Sequence, residues 1–141
     1  PHTAFWAVVV SELWRGIPFF AITILAGLQS ISQDIYESCD IDGCSSVQRF
    51  RYITLPFLKE TLTFSVLLRC IWEFNSIDLI FTMTNGGPLR LTTTMPVYLM
   101  QQAVVGGKYG YGSAMAVLMA AGLLLFAVIY LKITKYGVEE K

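Results

Sequence analysis

An all-α fold of about three membrane-spanning helices is predicted for this 141-residue chain by three observations. Hydrophobic residues make up 55% of it and charged residues only 14%, against about 25% charged in a typical soluble domain; the mean hydropathy is +0.58. Three apolar stretches, Phe5 to Leu28, Thr61 to Phe81 and Ala114 to Leu131, can each cross a hydrocarbon core of about 30 Å at about 1.5 Å per helical residue. Polar segments at residues 29–60 and 85–113 separate them, and such backbone has to face water because lipid cannot satisfy its hydrogen bonds.

The first two stretches carry charge and the third carries none. Glu12 and Arg15 fall in the first, and Arg69, Glu73 and Asp78 in the second. A charge near a helix centre costs roughly 2.5–3.5 kcal/mol on the insertion scale, whereas each Leu, Ile, Phe or Val contributes only about 0.3–0.6. For the second span, roughly 8–10 kcal/mol of charge then opposes a gain of about 3–7, so it is expected to face protein or an aqueous cavity rather than lipid. Glu12 with Arg15 (i, i+3) and Arg69 with Glu73 (i, i+4) can neutralise each other along their helices. Glu73, Asn75, Asp78 and Thr82 fall within three turns, and Asn75, Asp78 and Thr82 recur at i, i+3 and i+7 as a polar stripe on one helical face. That stripe is a candidate translocation path or, equally, a set of inter-helix hydrogen bonds.

Basic residues set the expected orientation. Arg49, Arg51 and Lys59 lie in the first loop, and Lys132, Lys135 and Lys141 follow the last span, against Arg90 and Lys108 in the second loop. This bias places the first loop and the C-terminus in the cytoplasm, with Trp6, Tyr109 and Tyr111 near the outer interface. Pro1 in place of a start methionine, with no secretory signal behind it, leads to the expectation that the chain is part of a longer protein.

Several chemistries are disfavoured. A net charge of zero argues against nucleic acid as a partner. Gly107-Lys108 lacks the rest of a phosphate-cradling GxxxxGK[ST] motif, so no ATP site is expected in this chain. His2 is the only histidine, which leaves no Ser-His-Asp triad, metal site or other catalytic group to assign. Cys39, Cys44 and Cys70 fit neither a CxxC pair nor a zinc ribbon and are expected to be free thiols.

The first loop is patterned more finely than a simple connector. Ser30 to Ile41 reads as a short helix ended by Asp42-Gly43, glycine supplying positive φ. It carries Asp34, Glu37 and Asp40 on an acidic face, with Ile31, Ile35 and Ile41 available for docking. Ser45-Ser46-Val47-Gln48 reads as a capping box that opens a second short helix toward Ile53, which Leu55-Pro56 is expected to stop. In the outer loop, Gly86-Gly87-Pro88 forms a turn. Thr94 to Val105 forms a helix with Pro96 in its first turn, Gly106-Gly107 at its end, and Val97, Met100 and Val104 on one face.

These residues resemble the permease subunits of bacterial binding-protein-dependent ABC importers of the carbohydrate and glycerol-3-phosphate uptake type. Their cytoplasmic loop has a Glu-Ala-Ala triplet, an Asp-Gly and an Ile-x-Leu-Pro ending; here these fall on Glu37-Ser38-Cys39, Asp42-Gly43 and Ile53-Thr54-Leu55-Pro56. Trp72-Glu73-Phe74-Asn75 through Asp78 to Thr84-Asn85-Gly86-Gly87-Pro88, and Lys108-Tyr109-Gly110-Tyr111-Gly112-Ser113-Ala114, are similar to the next span with its outer turn and to the entry of the final span. Ser38 and Cys39 replace the two alanines, and Ser32 stands where many relatives have proline.

The resemblance implies that the chain is the latter half of a permease domain of six or more spans in the bacterial inner membrane. It also implies that the loop forms coupling helices seated in a groove of a cytoplasmic ABC ATPase, which binds the ATP. Glu37 would be the charged contact and Gly43 the close-approach turn. Further implied partners are a second, different permease subunit, a periplasmic or lipid-anchored solute-binding protein at the outer loop, and a sugar-like substrate. The rival readings are a proton-coupled carrier using Glu12, Glu73 and Asp78, and a non-transporting membrane anchor.

Overall fold

The structure, a computed structural model, describes residues 2–134. It is all-α, with no strand among the described residues. Helix α1 (His2–Gln29) is followed by short helices α2 (Gln33–Ile41) and α3 (Ser46–Arg49), then α4 (Leu55–Phe74), α5 (Asp78–Thr84), α6 (Met95–Met100) and α7 (Tyr109–Thr134). Helices α1 and α7 are long and apolar enough to cross a membrane. The 20-residue α4 is shorter, about the span of a hydrocarbon core, and carries Lys59, Glu60, Arg69 and Glu73.

Close approach between α1 and α4 depends on small residues. A Cβ on Gly27 would lie 2.7 Å from Leu58 Cδ2, and one on Gly16 would lie 3.2 Å from the Arg69 guanidinium. Farther along, the Phe19 and Trp72 rings meet edge to face at 5.0 Å. The order of these contacts makes the pair antiparallel. Helix α7 returns alongside, its Tyr130 hydroxyl donating to the Thr63 carbonyl at 3.0 Å. The first loop and the C-terminal end of α7 therefore lie at one end of the bundle and the 85–108 segment at the other, where Trp6, Tyr109 and Tyr111 are exposed. Lys135 and Lys141, used in the orientation argument, lie outside the described residues.

The small core sits at that second end, where Val8 of α1, Ile80 of α5 and Val97 of α6 form one cluster; Val97 is 0% exposed.

The second span departs from expectation. Its helix starts at Leu55 instead of Thr61 and ends at Phe74 instead of running to Phe81. Asn75 is the reason for the break. Its Nδ2 donates back to the Ile71 carbonyl at 2.9 Å, and its N–H and that of Ser76 close short turns onto Trp72 and Glu73, a backbone competition that Asn and Ser side chains favour. Asn75, Asp78 and Thr82 are therefore not one continuous helical face.

Pro56 does not stop the second short helix either. The chain passes from α3 through one widened π-helical turn, Phe50–Thr54, into α4, with the Leu55 N–H donating to Phe50 five residues back. A proline ring normally collides with the carbonyl four residues earlier. The widened turn shifts those carbonyls, and Pro56 sits in the first turn of α4.

The outer helix forms as expected, with Pro96 in its first turn, but it also ends in a π-helical turn, Gln101–Val105. The extra residue rotates the following positions. Val97 is buried, whereas Val104 turns outward and Ala103 packs inward in its place, so close to α7 that a Cβ on Gly112 would overlap that of Ala103.

Candidate coupling loop and interhelical charge network

Two constellations stand out, one at each end of α4. The first is the loop at residues 30–54. The capping box is present: Gln48 N–H donates to Ser45 Oγ at 3.4 Å and Ser45 N–H to Gln48 Oε1 at 2.8 Å. Helix α2 ends through Gly43 at φ +74°, a left-handed conformation that costs L side chains roughly 1–2 kcal/mol.

Three contacts brace α2 against the helix that becomes α4. Tyr36 Oη meets Thr54 Oγ1 at 3.2 Å, the Arg49 guanidinium lies over the Tyr36 ring at 5.7 Å, and Arg49 forms an ion pair with Asp40. Tyr36, Arg49 and Thr54 were not legible as braces, because nothing in the spacing joins α2 to residues 9, 13 and 18 positions away. A basic residue just past a capping box was the one available signal.

Asp40 is thereby drawn away from the acidic face, leaving Asp34, Glu37 and Asp42 exposed beside Ser38. Glu37 Oε1 accepts from Gln33 Nε2 at 2.9 Å, and the Ser38 hydroxyl is turned back onto the Asp34 carbonyl. Of the three isoleucines expected to dock, Ile31 is buried within the chain and Ile35 is half-buried; Ile41 alone is fully presented, at 86% exposure. Open space surrounds Gly43, with no atom of the chain within 4 Å of a Cβ built there. Ile53 is half-buried while Leu55 and Pro56 are exposed at the start of α4.

Cys39 and Cys44 correct an expectation, since they are joined in a disulfide. Spacing rules for metal and redox motifs missed the pair because the turn at Gly43 brings their Cα atoms to 5.3 Å, inside the range that a disulfide spans. Cys70 is free.

The second constellation lies where α1 faces the end of α4. Both pairs expected along single helices form: Arg15 Nη2 to Glu12 Oε2 at 2.9 Å and Arg69 Nη2 to Glu73 Oε2 at 2.8 Å. Tertiary packing then joins them across helices. Arg69 Nη2 donates to the Glu12 carbonyl at 3.1 Å and lies 3.6 Å from the Glu12 carboxylate. Ser76, in the break after α4, accepts from Arg15 Nη2 and donates to Glu12 Oε1, each at 2.9 Å. Two carboxylates and two guanidiniums thus balance in one network, an arrangement that makes intramembrane charge tolerable.

The expected stripe is divided between two cavities. Glu73, with Glu12 and Arg69, lines one of about 1150 Å³ walled by apolar residues such as Phe5, Val9 and Phe20. Asp78 and Thr82 line another of about 950 Å³ with Trp14 and Arg15. Asn75, committed to the Ile71 carbonyl, lines neither.

At the outer turn, Gly86 has φ +84° and a Cβ there would fall 2.5 Å from Thr93 Oγ1. Thr93 donates to the Gly86 carbonyl and Thr92 to that of Gly87, both at 2.9 Å, while the Thr84 and Thr92 hydroxyls meet at 2.7 Å.

Among the described residues, membrane-length apolar helices, a balanced charge network between helices and a braced polar loop at one end are consistent with an all-α polytopic membrane permease. The chain belongs to the family described as binding-protein-dependent transport system inner membrane component, whose model matches residues 1–135. It is 40% identical over 136 residues to the trehalose/maltose transport system permease protein MalF of Thermococcus litoralis, covering 96% of this chain and 46% of that protein. Identity to the sulfoquinovosyl glycerol transport system permease protein SmoG of Agrobacterium fabrum is 39% over 135 residues, covering 96% of this chain and 44% of that protein. With the diacetylchitobiose uptake system permease protein DasB of Streptomyces coelicolor it is 37% over 139 residues, covering 99% and 42%. The chain spans a little under half the length of these relatives.

Proposed function

We propose that this chain is the part of an ATP-driven importer permease that receives force from a cytoplasmic ATPase and moves the membrane helices around a carbohydrate-like solute. The observation that carries the reading is mechanical. The exposed Glu37-Asp42-Gly43 surface belongs to an α2 that is braced through Tyr36 and Asp40 to a helix continuous from Ser46 to Phe74. A push on α2 is thereby delivered to α4 as a rigid body, the element that alternating access requires.

The solutes named for the relatives, trehalose, maltose, sulfoquinovosyl glycerol and diacetylchitobiose, support a carbohydrate or glycoside as the class carried. Membrane orientation follows the charge bias, with the loop and the C-terminus in the cytoplasm. ATP binds on the ATPase partner, a second permease subunit completes the pathway, and a solute-binding protein delivers at the outer turn. Asp78 and Thr82, facing an open cavity, are better placed to meet solute hydroxyls than Asn75, which caps α4. A proton-coupled carrier is less well supported, because Glu12 and Glu73 are each engaged in an ion pair with a guanidinium, that of Arg15 and of Arg69 respectively.

The test is Glu37→Lys and, separately, Gly43→Trp in the full-length protein, reading ATPase co-purification and solute-stimulated ATP hydrolysis. Both variants are expected to insert normally and to lose ATPase capture by about tenfold or more, as for a truncated interface anchor. Undiminished capture and uptake in both would remove the proposal.

A further inference from the structure

The Cys39–Cys44 pair lies directly behind the surface proposed to dock. Cys39 is 5% exposed near the end of α2, and Cys44 is half-buried just past Gly43. Backbone hydrogen bonds close this turn without help from sulfur: Asp42 N–H donates to Ser38, Gly43 N–H to Asp40 and Cys44 N–H to Cys39, at 3.0, 3.1 and 2.9 Å. The 5.3 Å separation of the Cα atoms therefore belongs to a backbone that accepts either two thiols or one disulfide. In a reducing compartment protein disulfides are characteristically transient or sensory.

We propose that Cys39 and Cys44 are a reversible thiol–disulfide exchange site whose co-reactant is a low-molecular-weight thiol/disulfide couple, and that bonding them stiffens the 42–44 turn of the loop. The effect on coupling rests on the docking reading above; the exchange chemistry does not.

In the oxidising direction the thiolate of the more accessible Cys44 attacks a sulfur of the small disulfide RSSR and expels RS⁻, which is protonated to RSH. The Cys39 thiolate then attacks Cys44 Sγ in the mixed disulfide and expels the second RS⁻. Two electrons and two protons leave the protein, and RSSR becomes two RSH. The reverse begins with RS⁻ attacking the accessible Cys44 sulfur, with Cys39 as the leaving thiolate.

Membrane vesicles carrying the whole transporter would be equilibrated at graded ratios of reduced to oxidised glutathione, quenched in acid and alkylated. Peptide masses and amide hydrogen exchange are then read on the same samples. The expected result is a reversible switch of the Cys39–Cys44 peptide between a doubly alkylated form and an unalkylated, disulfide-bonded form, with Cys70 alkylated at every ratio. Exchange at amides 42–44 should be about tenfold slower in the bonded form. Cys39→Ala should stop at a mixed disulfide on Cys44. Full alkylation of both thiols at every ratio, accumulation of mixed disulfide in the unaltered protein, or equal exchange rates in the two forms would each overturn the proposal. ATPase co-purification from the same vesicles separates the two readings: reversible bonding with no ATPase captured would defeat docking and leave the exchange site standing.

Discussion

Arg69 is the single side chain whose loss should damage the bundle most. It is 16% exposed, bonds the Glu73 carboxylate at 2.8 Å and the Glu12 backbone carbonyl at 3.1 Å, and lies 3.6 Å from the Glu12 carboxylate. Arg69→Met keeps the approximate length and apolar stem while removing the charge. Glu12, at 12% exposure, would keep Arg15 and Ser76 but lose its contact with α4. Glu73, at 40%, would lose its partner with partial relief from solvent. Removing one partner of a buried ion pair costs about 3–5 kcal/mol because a charge is left uncompensated. The exposure of Glu73 argues for the lower part of that range, about 3 kcal/mol. The assay is reversible unfolding in mixed micelles, followed by helicity, for the parent, Glu12→Gln, Arg69→Met and the double variant. The double variant retains Arg15 and Glu73, so its loss should fall short of the sum of the singles by more than about 1 kcal/mol, the sign of direct coupling. A loss under about 0.5 kcal/mol for Arg69→Met, or strict additivity, would show that the network does not hold α1 to α4 and would refute the reasoning.

Two further outcomes follow from contacts elsewhere. Gly112→Ala places a methyl group on top of Ala103 Cβ and should destabilise the α7 contact by about 1–3 kcal/mol; Gly122→Ala in the interior of the same helix, with open space around it, should instead stabilise by about 0.5–1 kcal/mol in the same micelle unfolding measurement. Ser45→Ala removes one half of the capping box and should cost about 1 kcal/mol locally, read as faster amide exchange at Gln48 with α7 unaffected.

Much of this architecture was legible in the residues. Composition gave the membrane class, Ser45 and Gln48 announced the cap, Asp42-Gly43 the end of α2, and Gly106-Gly107 the end of the outer helix. The second span was misread between Asn75 and Ile77 because hydropathy averages over a window, whereas one Asn side chain bonding to Ile71 ends the helix at a point. Pro56 and Val104 were misplaced for a related reason: a π-helical turn adds one residue to the period, and the sequence carries no mark of it at either place.

The sequence by itself determined that long apolar helices alternate with polar loops, the Glu12–Arg15 and Arg69–Glu73 pairs along two of those helices, and the Ser45–Gln48 capping box, since all of these are set by neighbours within one or two turns. Only the tertiary structure decided that Arg69 reaches Glu12 across 57 positions, that Ser76 closes the same network, that Tyr36 and Arg49 brace α2, and that the polar residues of the second span open into two separate cavities. Those outcomes depend on how far one helix slides and turns against another. Small residues such as Gly16 and Gly27 fix that by letting backbones approach, and no local propensity encodes the partner they admit.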